Sequence, residues 1–251
     1  MMRLPELCAY LHDFLRLDAI PDYGAALNGL QVENSGEVHR IAAAVDASQA
    51  AIDAAVAAGA DLLLVHHGLF WDGNQSVTGR RYRRLRRLLQ ADVAVYAAHL
   101  PLDAHPEVGN NAVLARELGL RPGGGFGEYK GCTLGVWGET DLHRDELTER
   151  LRKRLGGPVR LIAGGPERVR RVGVVTGGAG DQAGAARAAG LDALVTGEGA
   201  HHHYFDAIEG GVNLYLGGHY ATETWGVRAL AAHLEQRFGL PWLFLDQPTG
   251  L

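Results

Sequence analysis

Apolar positions along the chain follow two periods that take turns. Residues 3–17 read as an amphipathic helix that ends before Pro21. From Arg40 onward short apolar runs alternate with helical spacing. The run 40–45 predicts a strand, 48–58 a helix stopped by Gly59, and Asp61–Val65, with Leu62-Leu63-Leu64-Val65 unbroken, a fully buried strand. A helix over 81–90, a strand over 93–98 and a helix over 110–118, ended by Gly119, complete this series. Strands and helices alternating at this spacing imply βαβ units and a largely parallel sheet.

The glycine run Gly123-Gly124-Gly125-Phe126-Gly127 predicts a joint, and a second series follows it. Strands are expected at 133–136, 172–175, 193–196, 213–216 and 242–245, with helices at 145–155, 182–189 and 223–238. The fold class is therefore α/β: two similar lobes with mostly parallel sheets, residues 1–125 and 126–251, and a site in the cleft between them. The lobes also match each other. Val45-Asp46-Ala47 and the stretch Gly59 to Gly68 sit over Val175-Thr176-Gly177 and the stretch Gly190 to Gly199. Val95 to Asp103 sits over Leu214 to Glu223. The alignment sets His67 opposite Glu198, His99 opposite His219 and Asp103 opposite Glu223, as an internal duplication would.

Composition narrows the function. The 251 residues are 47% hydrophobic and 21% charged, enough for a substantial core. A net charge of −5 gives no global pull toward nucleic acid or an anionic membrane. The most apolar stretch, 41–65, is interrupted by Asp46, Asp53 and Asp61 and cannot span a bilayer. Only two cysteines, Cys8 and Cys132, are present, at no metal or redox spacing, which fits a reducing cytoplasm. Histidine is the unusual component, with 12 copies, several of them adjacent.

Those histidines fall where α/β sheets gather ligands, at the carboxyl ends of strands. His66 and His67 follow a buried strand directly. Adjacent residues leaving a strand point in opposite directions, so the pair suits two neighbouring cations better than one. Asp103 follows the next strand, and His219 and Glu223, four apart, share one face if both are helical. Imidazole and carboxylate hold Zn, Mn, Fe or Ni. Two cations held close together repel, and a bridging carboxylate, Glu223 or Asp103, relieves that. The expected metal ligands are thus His66, His67, Asp103, His219 and Glu223. His99 is expected behind them, against a ligand. Glu198 is the candidate general base, or else the acceptor that fixes a ligand imidazole.

Taken together, Val65-His66-His67-Gly68-Leu69-Phe70-Trp71, His99-Leu100-Pro101-Leu102-Asp103-Ala104-His105-Pro106, Gly109-Asn110-Asn111-Ala112, Thr196-Gly197-Glu198 and Gly218-His219-Tyr220-Ala221-Thr222-Glu223 resemble the Nif-three-like dinuclear metal-binding family. The resemblance is to its bacterial YbgI-type branch, whose members are named GTP cyclohydrolase 1 type 2 homologues. Asn28-Gly29-Leu30-Gln31-Val32 fits the same pattern, so the matches cover nearly the whole chain. The resemblance implies a homohexameric toroid with a dinuclear site on an internal cavity. It implies that His67 and Asp103 hold one metal, His66 and His219 the other, and that Glu223 bridges. One departure is Ala200-His201-His202-His203 after Gly199, read here as a solvated helix start.

Two further motifs bear on function. Residues 80–87 carry six arginines in eight positions; Leu85, Leu88 and Leu89 mark a packed side, which leaves the arginines as a solvated face or subunit contact. Gly178-Ala179-Gly180-Asp181 echoes a dinucleotide fingerprint but lacks its downstream acid, and a tight turn explains it. The expected function is a metal-dependent hydrolase holding two divalent ions and acting on a nucleotide or related small molecule. The alternative is a non-catalytic protein that handles or senses metal.

Overall fold

The computed structural model describes residues 1–71 and 73–251. In chain order its elements are β1 (Met2–Arg3), α1 (Leu4–Leu15), β2 (Gly29–Val32), β3 (Glu37–Val38), β4 (Ile41–Asp46), α2 (Gln49–Ala57), β5 (Leu62–His67), α3 (Gly79–Ala91), β6 (Ala94–Ala97), α4 (Leu100–Asp103) and α5 (Asn110–Glu117). They continue as β7 (Arg121–Tyr129), β8 (Cys132–His143), α6 (Arg144–Leu155), β9 (Arg160–Ala163), β10 (Arg168–Val174), α7 (Ala183–Ala188), β11 (Ala193–Thr196), α8 (His203–Gly210), β12 (Asn213–Leu216), α9 (His219–Phe238) and β13 (Trp242–Phe244). No helix among the described residues is long and apolar enough to cross a membrane.

Two compact units form. The first comprises Met1–Val108 and Gly226–Gln247, the second Gly109–Trp225 and Pro248–Leu251. In the first, a five-stranded sheet runs in the order β13-β4-β5-β6-β2, parallel except for the antiparallel edge β2. Helix α1 and the later turns of α9 cover one face, where Leu7, Leu11, Val227 and Leu234 pack on Ile41, Leu64 and Tyr96. Helices α2 and α3 cover the other through Ala51, Ile52 and Leu88, against Leu63, Val65 and Val95. Both faces are thus buried, which is why β4 and β5 read as unbroken apolar runs. Ser48 starts α2 by accepting the Ala51 N–H at 3.1 Å.

The second unit holds a six-stranded sheet in the order β7-β8-β10-β11-β12-β9. Only β10-β11-β12 are parallel; β7, β8 and β9 are antiparallel to their neighbours. The expectation of a mostly parallel sheet therefore describes the first unit and only the centre of the second. The expected joint at Gly123–Gly127 is instead part of β7, paired with β8. Lys130 and Gly131, both with positive φ (48° and 80°), make the two-residue turn that joins this hairpin. The glycines of β7 serve packing: a side chain at Gly123 would collide with the Trp137 ring, and one at Gly125 would lie 2.6 Å from Thr133 Cγ2. The 125/126 boundary consequently gives way to one at 108/109, with the chain re-entering the first unit at Gly226.

The aligned stretches share one framework. β4-β5-β6 with antiparallel β2 beside β6 corresponds to β10-β11-β12 with antiparallel β9 beside β12. Asp61 Oδ2 accepts the N–H groups of His39 and Arg40 at 2.7 and 2.9 Å; its counterpart Asp192 accepts those of Arg170 and Arg171 at the same distances. The preceding glycines, Gly59 and Gly190, have φ of 64° and 66°, ending α2 and α7 alike.

Candidate metal centre

In the first unit, three imidazoles meet at the carboxyl ends of β5 and β6. Each is tied down at Nδ1. His66, with no solvent exposure, donates to the Ala98 carbonyl at 2.9 Å. His67 donates to Asp46 Oδ1 at 2.9 Å. His99 donates to Asp22 Oδ1 at 2.9 Å, while its backbone N–H donates to Asn28 Oδ1 at 2.7 Å. A carbonyl or carboxylate at Nδ1 holds that nitrogen as the donor and leaves Nε2 of each ring able to act as a ligand. One ring nitrogen from each of the three lies within 4.8 Å of the others. The adjacent His66 and His67 do not diverge as strand alternation predicts. Their ring centroids are 4.7 Å apart, because β5 ends at His67 and each ring turns to its own anchor.

Around this cluster the walls are apolar and acidic. The Trp71 ring stands edge-on to His99 at 4.7 Å. Asp103 closes α4 with Oδ2 3.6 Å from His66 Nε2, and its carboxylate is almost wholly buried. Burial alone would raise the Asp22 carboxyl, but the hydrogen bond and charge of His99, helped by Asn28 and the Tyr23 N–H, hold it below the ordinary carboxylate value. Asp22 thus stays charged to orient His99. His105, from the same motif, has Nε2 on the Phe14 carbonyl and Nδ1 accepting the N–H groups of Glu107 and Val108, so it braces the backbone.

In the second unit, His219 is the first residue of α9 and Glu223 lies one turn later, so the four-residue spacing brings Nε2 and Oε2 to 3.1 Å. His219 Nδ1 donates to Glu198 Oε1 at 2.9 Å. Glu198 is therefore in contact with the His219 imidazole. Glu223 is 3% exposed. Gly177, with φ of 67°, leaves the space its carboxylate occupies, since a Cβ there would collide with Oε1. That turn is held by Thr222, whose hydroxyl accepts the Gly177 N–H at 3.1 Å, and by Thr196, which donates to the Gly177 carbonyl at 3.0 Å.

The donor chemistry fits divalent cations. The hydrogen bond that His219 donates to Glu223, opposed by burial and supported by the charges of Glu223 and Glu198, pushes the His219 pKa up to about 9. An imidazole between two carboxylates demands positive charge, and a proton and a metal ion compete to supply it. Nitrogen and oxygen donors without thiolate suit Zn, Mn, Fe or Ni.

Asp22 and Asp46 are the functional residues that motif reading missed. Asp46 carried a signal, since it ends β4 as His67 ends β5 and the two are register partners. Asp22, in the loop before β2, carried none. His201 and His202 are exposed, but His203 is buried and its Nδ1 accepts the Ala200 N–H at 3.0 Å, so the run does start a helix.

A family model described as Duf34/NIF3 (NGG1p interacting factor 3) matches residues 2–249. A Deinococcus radiodurans protein named GTP cyclohydrolase 1 type 2 homolog is 48% identical over 98% of this chain and 94% of its own. A Halobacterium salinarum protein of the same name is 45% identical, with both chains fully covered. Among solved structures, protein ybgI superposes with a TM-score of 0.93 at 40% identity, and TTHA1606 from Thermus thermophilus with 0.90 at 43%, each over all of both chains.

Proposed function

The chain belongs to the Duf34/NIF3 family, and from that premise we propose that it is a dinuclear metal-dependent hydrolase of a nucleotide or related small molecule. His66, His67 and Asp103 from the first unit and His219 and Glu223 from the second are the proposed ligands of two divalent ions. The observation that supports this reading is the anchoring of His66 and His67 at Nδ1, which leaves Nε2 of each to a cation, with His99, anchored alike, standing against them. The resemblance gives Asp103 to the ion of His67; its approach to His66 also suits it to bridging. Two ions so held would supply Lewis-acid polarisation and lower the pKa of a water. The protein's own part is to orient and to move protons. Asp22, Asp46 and Glu198 hydrogen-bond the imidazoles, and in this reading Glu198, half-exposed, takes a proton as well. GTP is the first substrate to try, since the relatives' names refer to GTP cyclohydrolase. We further take the chain to assemble as a homohexamer, a reading supported by the exposed Tyr204, Phe205 and Ile208 of α8.

The test is elemental analysis of protein purified without chelators, followed by turnover assays on a nucleotide and phosphoester panel beside a Glu223→Ala variant. Two ions per chain and turnover abolished in the variant support the hydrolase. Bound metal without turnover, passed rapidly to an apo-acceptor, supports metal handling instead. Protein that retains no metal ends both readings. Sedimentation at micromolar concentration reads the assembly, and a monomer would dispose of the hexamer.

A further inference from the structure

Helix α3 is more than a solvated arginine face. At its start, Arg80, Arg81 and Arg84 converge with Gln75, Ser76 and Thr78 on a recess of about 160 Å³, all within the first unit. Counting about 30 Å³ per water-sized atom, this is space for a group of five or so heavy atoms. Arg80 and Arg84 are one turn apart and share a face. Among the described residues no carboxylate lies within salt-bridge distance of Arg80, Arg81 or Arg84, whereas Arg87 on the same helix reaches Asp53 at 3.3 Å. The Arg84 Nε is buried and has no hydrogen-bond partner among those residues. Burial first, and then the like charges of Arg80 and Arg83, press the Arg84 pKa down, with only Asp46 opposing. Thr78 makes no side-chain cap, which leaves first-turn amides of α3 available to an anion. Three guanidinium groups gathered in one recess without matching acids among the described residues form a seat for a tetrahedral oxyanion, and the planar fork of Arg is the side chain that grips phosphate best.

The recess also lies beside the metal centre. Asp46, whose charge acts on Arg84, is the carboxylate that holds His67. Arg81 lies over the Phe70 ring at 5.0 Å, one residue from the Trp71 ring that stands against His99. The geometry points to a phosphate subsite at Arg80, Arg81 and Arg84 that seats the phosphate of a small phosphorylated substrate whose reacting part faces His67. This deepens the hydrolase reading and rests on it for the word substrate, but not for the binding of phosphate.

Calorimetric titration with inorganic phosphate tests it, using protein as purified. Arg80→Ala, at an exposed position, and Arg84→Gln are each expected to weaken binding about tenfold or more. Arg86→Ala, which removes the same charge from the same helix outside the recess, is expected to stay within about twofold, as screening predicts. His67→Ala should keep phosphate binding. Equal affinities across the arginine variants, or an equal loss in Arg86→Ala, overturn the subsite. So does loss in His67→Ala alone, which would put the phosphate on the metal and leave the hydrolase reading standing. A single-stranded oligonucleotide that binds in place of phosphate and is weakened by Arg83→Ala and Arg86→Ala as much as by Arg80→Ala would also overturn it, in favour of a nucleic-acid surface. A protein without metal whose phosphate binding still falls in Arg80→Ala would sink the hydrolase and spare the subsite.

Discussion

The run β4-α2-β5-α3-β6 in the first unit and the run β10-α7-β11-α8-β12 in the second are built on one pattern, yet they end their strands in different chemistry. The first ends in Asp46, His66-His67 and His99; the second ends in Thr176, Gly197-Glu198 and His219. In the first, carboxylates stand behind imidazoles and turn them. In the second, a single imidazole stands between two carboxylates, and the position matching Ala47 is Gly177, emptied for Glu223. The difference shows what a repeated framework permits. The peptide geometry common to both, marked by Asp61 and Asp192, is left alone, while the strand ends, which carry little of the core, are free to specialise.

The largest effect is expected where the two halves differ by one methyl. Gly177→Ala should cost about 2–5 kcal/mol, combining left-handed backbone strain with a displaced Glu223 carboxylate, read by thermal or urea unfolding. The same protein should lose bound metal. Ala47→Gly should cost about 1 kcal/mol or less; equal costs at both positions would erase the contrast. Next come the orienting carboxylates. Asp22→Ala, Asp46→Ala and Glu198→Ala should each weaken metal binding roughly 10–100-fold in competition with a chromophoric chelator, with the fold intact. Unchanged affinity in all three would remove the argument from anchored imidazoles.

The shared framework predicts smaller and equal losses. Asp61→Ala and Asp192→Ala each strip an acceptor from two backbone N–H groups, and each should cost about 1–3 kcal/mol without altering metal content. A marked inequality would mean the halves are less alike than their hydrogen bonds. The smallest effect is on pH dependence. With metal removed, His219 is charged in the folded state with a pKa of about 9 against 6.5 as the ordinary value. A raised pKa stabilises the fold fully below pH 6.5, and that contribution is lost as pH rises toward 9. Metal-free protein should therefore lose stability across this window, and His219→Gln should flatten the trend. Metal affinity should rise over the same window as the proton leaves.

Much of this was legible in the chain because burial on both faces leaves an unmistakable mark. Leu62 to Val65 could only be an interior strand, and the spacing of His219 and Glu223 already put them on one helical face. The strands that escaped notice are those whose sequence serves neighbours. β7 carries glycines to admit Trp137, so it reads as a linker, and β9 at Arg160–Ala163 is a short antiparallel edge. The candidate site residues stood out because imidazole and carboxylate at strand ends have few other uses. Asp22 was not, because a loop aspartate seventy-seven residues from the histidine it orients leaves no local pattern.

Residues 226–247 return to the first unit, and that shapes how the protein is made. During translation the N-terminal sheet emerges long before β13 can pair with β4, or before Val227, Leu230 and Leu234 can cover α1. At about 5–20 residues per second the nascent chain waits roughly 10–30 seconds with an open strand edge and a bare apolar flank. A messenger truncated near codon 225 would fix it in that state, and the released fragment would aggregate through the β4 edge rather than fold.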